Sequence, residues 1–175
     1  MAVSVFPTPS SPSVPNWVAL QTSALGVTNV TFSGLSGYNK YRCLFLGSVG
    51  SAFGGIGARI NGDSTGGNYQ WGGVQTSLTA SAALFGSSAS SFQFAAESGG
   101  SAAVGIYAEV EIEGCTLTAI KFMRGRGTTS ASTATDLIVE GGYNQTGAVT
   151  SITILNLQAT GAGAMSGALT LFGAN

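Results

Sequence analysis

The sequence predicts an all-β protein, a jelly-roll-like two-sheet β-sandwich preceded by an extended N-terminal arm. Three observations lead there. All four prolines, Pro7, Pro9, Pro12 and Pro15, stand at the beginning of the chain, and none follows Pro15. Beyond them, short β-branched and aromatic segments are separated by glycine and serine clusters at intervals of about 8–15 residues, the rhythm of strands and turns. No stretch repeats its apolar residues with helical periodicity.

The arm, residues 1–16, reads VSVFPTPSSPSVPN from Val3 onward. Proline removes backbone donors and fixes φ, so this segment suits neither a helix nor a central strand. It also lacks the acidic, self-repelling character of a solvated tail. It is expected to lie extended along another surface, with Val3, Val5 and Phe6 as anchors and Pro7, Pro9, Pro12 and Pro15 holding it straight at low entropic cost.

The body, residues 17–175, is read as one sandwich domain. Its candidate strands, in order, are Trp17 to Gln21, Thr28 to Phe32, Tyr41 to Val49, Gly57 to Asn61, Tyr69 to Gly73, Ser91 to Ala96, Ala103 to Glu113, Ala119 to Arg124, Asp136 to Glu140, Thr150 to Leu157 and Ala168 to Gly173. The clearest is Ala103 to Glu113. There Val104, Ile106, Val110 and Ile112 occupy one parity and Tyr107, Glu109, Glu111 and Glu113 the other, a core face and a wet face. Near the end of the chain, Ile152, Ile154, Leu155, Leu157, Leu169, Leu171 and Phe172 form near-continuous apolar runs, the pattern of strands covered on both faces. About eight to ten strands in a domain of this length suit two packed sheets better than one open sheet. The loops Gly86 to Ser91 and Thr128 to Thr135 read as exposed tips.

Composition points to assembly. Hydrophobic residues make up 44% of the chain and charged residues only 7%, where soluble domains carry roughly 25% charge. Mean hydropathy is +0.33. A surface so short of charge favours self-association or coverage by neighbouring subunits. With six basic residues in the whole chain, general nucleic-acid binding lacks its electrostatic driving force. No apolar run approaches the roughly 20 residues of a membrane span, and the start of the chain lacks the basic and apolar regions of a signal peptide. Synthesis in the cytoplasm and no membrane insertion are therefore expected. Cys43 and Cys115 lie in apolar stretches without partners for a zinc site, and read as two buried thiols.

The loop Ile60-Asn61-Gly62-Asp63-Ser64-Thr65-Gly66-Gly67-Asn68-Tyr69 is the most specific motif. Asn-Gly favours positive φ in a tight turn, and Asp63 can cap backbone N–H groups. Asn61, Asp63 and Asn68 offer oxygens to calcium, but one carboxylate is a thin complement for that ion, and turn stabilisation is the better use. Together with the preceding SGLSGYNKYRCLFLG and the terminal SGALTLFG, this loop resembles small β-sandwich modules of tailed-bacteriophage virion proteins. The likeness runs from about Phe32 to Gly173. It implies a head decoration (cement) protein or a fibre or tail tip, commonly homotrimeric.

Catalysis is not expected, nor a cofactor or metal. The chain has no histidine, which removes the Ser-His-Asp and Cys-His routes. Glu109, Glu111 and Glu113 lie at about 6.6 Å steps, a spacing that glycosidases use. Reversal of the chain near Gly114-Cys115 sets Lys121 opposite Glu109, however, and makes an exposed ladder of charge pairs the better reading. Lys121, Arg124 and Arg126 form the one basic cluster and are candidates for inter-subunit salt bridges. Tyr69 and Trp71 share parity after the glycine loop, as a candidate sugar platform or as core residues.

The expected function is that of a structural virion protein on the outer surface of the particle. In the first reading it is a capsid decoration or cement protein, binding the major capsid protein or another virion protein as a homotrimer through body and arm. In the second it is a receptor-binding tip or adaptor of a head or tail fibre that recognises a cell-surface glycan. A chain beginning at Met1 without heptads or repeats for a shaft favours the decorator.

Overall fold

The computed structural model describes residues 16–50, 54–77, 79–95, 104–130, 135–158 and 162–175. Val3, Val5, Phe6, Pro7, Pro9, Pro12 and Pro15 lie outside the described residues. The described residues form twelve strands: β1 Val18–Val27, β2 Asn29–Ser33, β3 Lys40–Val49, β4 Ile56–Ile60, β5 Tyr69–Ser77, β6 Ser81–Ala89, β7 Phe92–Ala95, β8 Val104–Glu113, β9 Lys121–Ser130, β10 Thr135–Tyr143, β11 Ser151–Asn156 and β12 Met165–Ala174. They form an eight-stranded sheet, β1-β12-β3-β8-β9-β10-β5-β6, packed on a four-stranded sheet, β2-β11-β4-β7. Every pairing is antiparallel.

The pairing itself displays the jelly roll. The first half of the chain pairs with the second from the ends inward: β1 with β12, β2 with β11, β3 with β8 and β4 with β7. These eight strands make the rolled pair of sheets β1-β12-β3-β8 and β2-β11-β4-β7, the double Greek-key arrangement of that fold. Two further pairs, β5–β6 and β9–β10, extend the larger sheet beyond β8.

Period-2 patterning sorts the side chains. On β8, Ile106, Ala108, Val110 and Ile112 are buried, while Tyr107 is 44% exposed. On β3, Tyr41, Cys43, Phe45 and Val49 turn inward. The smaller sheet contributes Phe32, Ile56, Ile60, Phe92, Phe94 and Ile152. Each such side chain adds about 1.5–3 kcal/mol on burial. The runs expected to be covered on both faces alternate instead: Ile152, Ile154, Leu169 and Leu171 are buried, while Leu155, Leu157 and Phe172 are half-buried on the outside.

Close approach of the sheets depends on two glycines of β9. A Cβ at Gly125 would lie 2.3 Å from the Cβ of Phe94, and one at Gly127 would lie 2.5 Å from the Cβ of Ala95. Their missing side chains let β7 settle directly on β9.

β6 has no counterpart among the sequence candidates. Its Ala/Ser/Gly-rich sequence, SAALFGSSA, carries little strand propensity, and its conformation comes from pairing with β5 at the sheet edge. The expected tips change accordingly. Gly86 to Ala89 belong to β6 and Thr128 to Ser130 to β9.

Candidate functional site

Three sites emerge: a charge ladder on the outer face of the large sheet, a hydrogen-bonded clamp around the Asn61-Gly62-Asp63 turn, and a polar cleft beside Trp71.

The ladder gathers four of the six basic side chains and five of the seven acidic ones: Lys40, Arg42, Arg124 and Arg126 with Glu109, Glu111, Glu113, Asp136 and Glu140. Their strands are adjacent, and the register sets Arg42, Glu111, Arg124 and Glu140 side by side in one row. Charge alternates in sign along that row. Arg42 Nη2 donates to Glu111 Oε2 at 3.1 Å, and Arg124 reaches Glu140 at 3.6 Å and Glu113 at 3.9 Å. Lys40 pairs with Glu113 at 3.3 Å and Arg126 with Asp136 at 3.5 Å. Among the described residues Glu109 makes no ion pair, although Arg126 is its neighbour across the strands. Trp17 stacks on the Arg42 guanidinium at 4.4 Å, a cation–π contact that fixes this end of the row. Large apolar side chains flank the charges on the same face: Phe85 is 78% exposed, Leu46 63%, Phe122 61%, Ile138 56% and Val74 52%.

Lys121 does not join the ladder. The connection between β8 and β9 runs from Gly114 to Ile120, so Glu113 pairs with Phe122 and Glu109 with Arg126. That register gives Lys121 the inward parity of Met123, and it is fully buried. Its ammonium donates to the carbonyl of Leu117 at 2.7 Å and to that of Ala119, and burial lowers its pKa. The expected exposed Lys121–Glu109 pair is replaced by Arg126 beside Glu109.

The clamp fulfils the turn reading of the Asn-Gly motif. Asn61 and Gly62 have φ of 55° and 69°, and Asp63 N–H donates to the Ile60 carbonyl at 3.0 Å, a type I′ geometry. Asp63 accepts from Thr65 N–H at 2.8 Å, Asn68 Nδ2 at 2.7 Å and Tyr143 Oη at 2.9 Å. The Thr65 N–H bond leads in holding its carboxyl at about 2, below the ordinary 3.8. Asn61 Oδ1 accepts from the backbone of Thr150 and Ser151. Tyr69 is buried beneath, accepting from Ile60 N–H at 2.8 Å, and burial pushes its phenol up to about 12. The oxygens offered to calcium are thus engaged, Asp63 mainly within the turn, Asn61 by Thr150 and Ser151 and Asn68 by Gln145 Nε2, and the described residues contain no cluster of three or more metal-ligating side chains.

Tyr69 and Trp71 part company. Tyr69 is core, whereas half-buried Trp71 lines a cleft of ≈ 550 Å³ with Arg59, Gln93, Asn156 and the Ser88 to Ser91 turn. A Cβ at Gly86 would lie 2.4 Å from the indole, so that glycine makes room for the ring. Trp71 Nε1 donates to Ser91 O at 3.2 Å and Arg59 Nε to Ser90 O at 3.0 Å. The cleft was hidden from the sequence, because its walls come from β4, β5, β7 and β11 and from the turn after β6.

Cys43 and Cys115 are both free and buried. Burial raises both thiols, Cys115 to about 12.

No family model, no curated protein and no solved structure matches this chain.

Proposed function

We propose that the protein is a structural, non-enzymatic virion component, a capsid decoration or cement protein that binds the phage head as a homotrimer through its body and N-terminal arm. The observation that carries this reading is the surface. Exposed Phe85, Leu46, Phe122, Ile138 and Val74 lie on one sheet face of a chain very short of charge, and apolar surface of that kind serves contact with other subunits. The virion assignment rests on the sequence resemblance, and the arm supplies the address on the particle. Deleting residues 1–15 should abolish attachment to purified particles of the virus that encodes the protein while the body stays folded and associated. Full attachment of the truncated protein would refute the role of the arm.

The Trp71 cleft favours a second reading, a fibre tip or adaptor that recognises a cell-surface glycan. An indole face beside Arg59, Gln93 and Asn156 has the mix of stacking surface and polar groups that sugars use. Glycan-array binding that disappears in Trp71→Ala would support it. Copy number separates the two readings, since a decorator is present in hundreds per particle and a tip in a few dozen or fewer.

A further inference from the structure

We propose that the outer face of the eight-stranded sheet docks onto the same face of a second copy, about a two-fold axis running along the strands between β8 and β9. The inference is independent of the virion assignment.

The argument starts from the symmetry of the row Arg42, Glu111, Arg124, Glu140. Read from its other end, its signs are reversed. A two-fold axis through its midpoint therefore places Arg42 over the second copy's Glu140 and Glu111 over the second copy's Arg124, so each of the four meets an opposite charge and each pairing occurs twice. The next row is Leu44, Glu109, Arg126, Ile138. Here Leu44 meets Ile138, and Glu109, unpaired within its own chain among the described residues, meets Arg126. In the rows beyond, Lys40 faces Gly142, Glu113 faces Phe122 and Leu46 faces Asp136. Like charges meet nowhere.

Other arrangements do worse. An axis across the strands would set Glu109 against Glu111 and Arg124 against Arg126. One shifted to the gap between β3 and β8 leaves Glu140 without a partner. The midpoint axis also tolerates the usual tilt of about 30° between stacked sheets, because Arg42 and Glu140 lie only about 7 Å from it and have long side chains.

Area and preorganisation are adequate. Eight strands about 4.8 Å apart and nine or ten residues long present roughly 1,000 Å² per copy, above the about 800 Å² per partner of stable interfaces. Exposed Val74 and Phe85 fall opposite Thr170 and Ala19 at the rims, and Trp17 already holds Arg42 in place, which limits the entropy lost on docking.

Charge exchange tests the axis. In E111K/E140K the row is wholly basic, and in R42E/R124E wholly acidic. By sedimentation, each variant alone should lose at least tenfold in self-association relative to the unchanged protein, and an equimolar mixture should regain it. The single variant Ile138→Asn leaves every charge in place and should also weaken association. Wild-type association in each variant alone, or no recovery on mixing two variants that retain β-sheet circular dichroism, overturns the proposal. A cyclic trimer closes through a different, head-to-tail interface. A trimer surviving in both variants is separately visible by mass and would place the trimer contact on another surface.

Discussion

Replacing Gly125 by alanine should destabilise the sandwich severely for so small a change. The new Cβ would stand 2.3 Å from Phe94 Cβ, 3.1 Å from Phe92 Cε1 and 3.2 Å from Val139 Cγ1, whereas carbon atoms settle at about 3.5–4.0 Å. Relief requires more than an ångström of movement at Phe94. The obstacle there is a Cβ fixed to the backbone of β7, which pairs with β4, so a rotamer change cannot supply it. Overpacking costs typically about 1–3 kcal/mol, and this site belongs at the upper end. A loss of about 3 kcal/mol lowers the melting temperature by roughly 6–12 °C in a chain of this size. The control is Gly26→Ala in β1, where nothing lies within 4 Å of the new Cβ, and where the change should stay within about 1 kcal/mol. Urea titration and thermal melts of both variants decide the matter. A Gly125→Ala protein as stable as Gly26→Ala would refute the account of how β7 lies on β9.

The Asp63 clamp should make stability acid-sensitive. Its carboxyl is depressed from 3.8 to about 2 on folding, so its contribution is complete above 3.8 and fades as pH falls through about 2. Urea midpoints should drop less over that interval in Asp63→Asn, and parallel curves would remove the clamp from the explanation. Lys121→Ala should cost about 2–4 kcal/mol, from a cavity and two carbonyls left without their donor. An unchanged urea midpoint would contradict its buried placement. Both thiols should resist a thiol reagent at pH 8 in the folded protein and react once it is unfolded, because burial raises both Cys43 and Cys115 and the thiolate is the reacting form. Rapid labelling of native protein would show that one of them reaches solvent.

Much of the fold was legible because strand parity is local. The alternation of Ile106, Val110 and Ile112 with Tyr107, Glu109 and Glu111 announced both faces of β8, and Asn61-Gly62 announced its turn. β6 escaped because its Ala/Ser/Gly sequence has no alternation to read, and only its partner β5 makes it a strand. Lys121 was misplaced for a related reason. Its charge suggested solvent, yet Met123, Gly125 and Gly127 share its parity and Arg124 and Arg126 hold the other, so the inward setting was visible in the pattern of its neighbours. The ladder was legible only in its β8–β9 half, as glutamates facing a basic cluster, and its extension to Arg42 and Glu140 was not. Arg42, Glu111, Arg124 and Glu140 become neighbours only through the register of four strands, and register depends on connection lengths such as Gly114 to Ile120. The same holds for the cleft, where Trp71 was visible as an aromatic but its companions Arg59, Gln93 and Asn156 come from other strands.

Self-association is the central claim, and the mass of the protein in solution tests it most directly. Sedimentation equilibrium should give a multiple of the 17.4 kDa chain at micromolar concentration, with dissociation promoted by high salt as the ladder contacts are screened. A monomer persisting to the highest soluble concentration, at low and high salt alike, would contradict it.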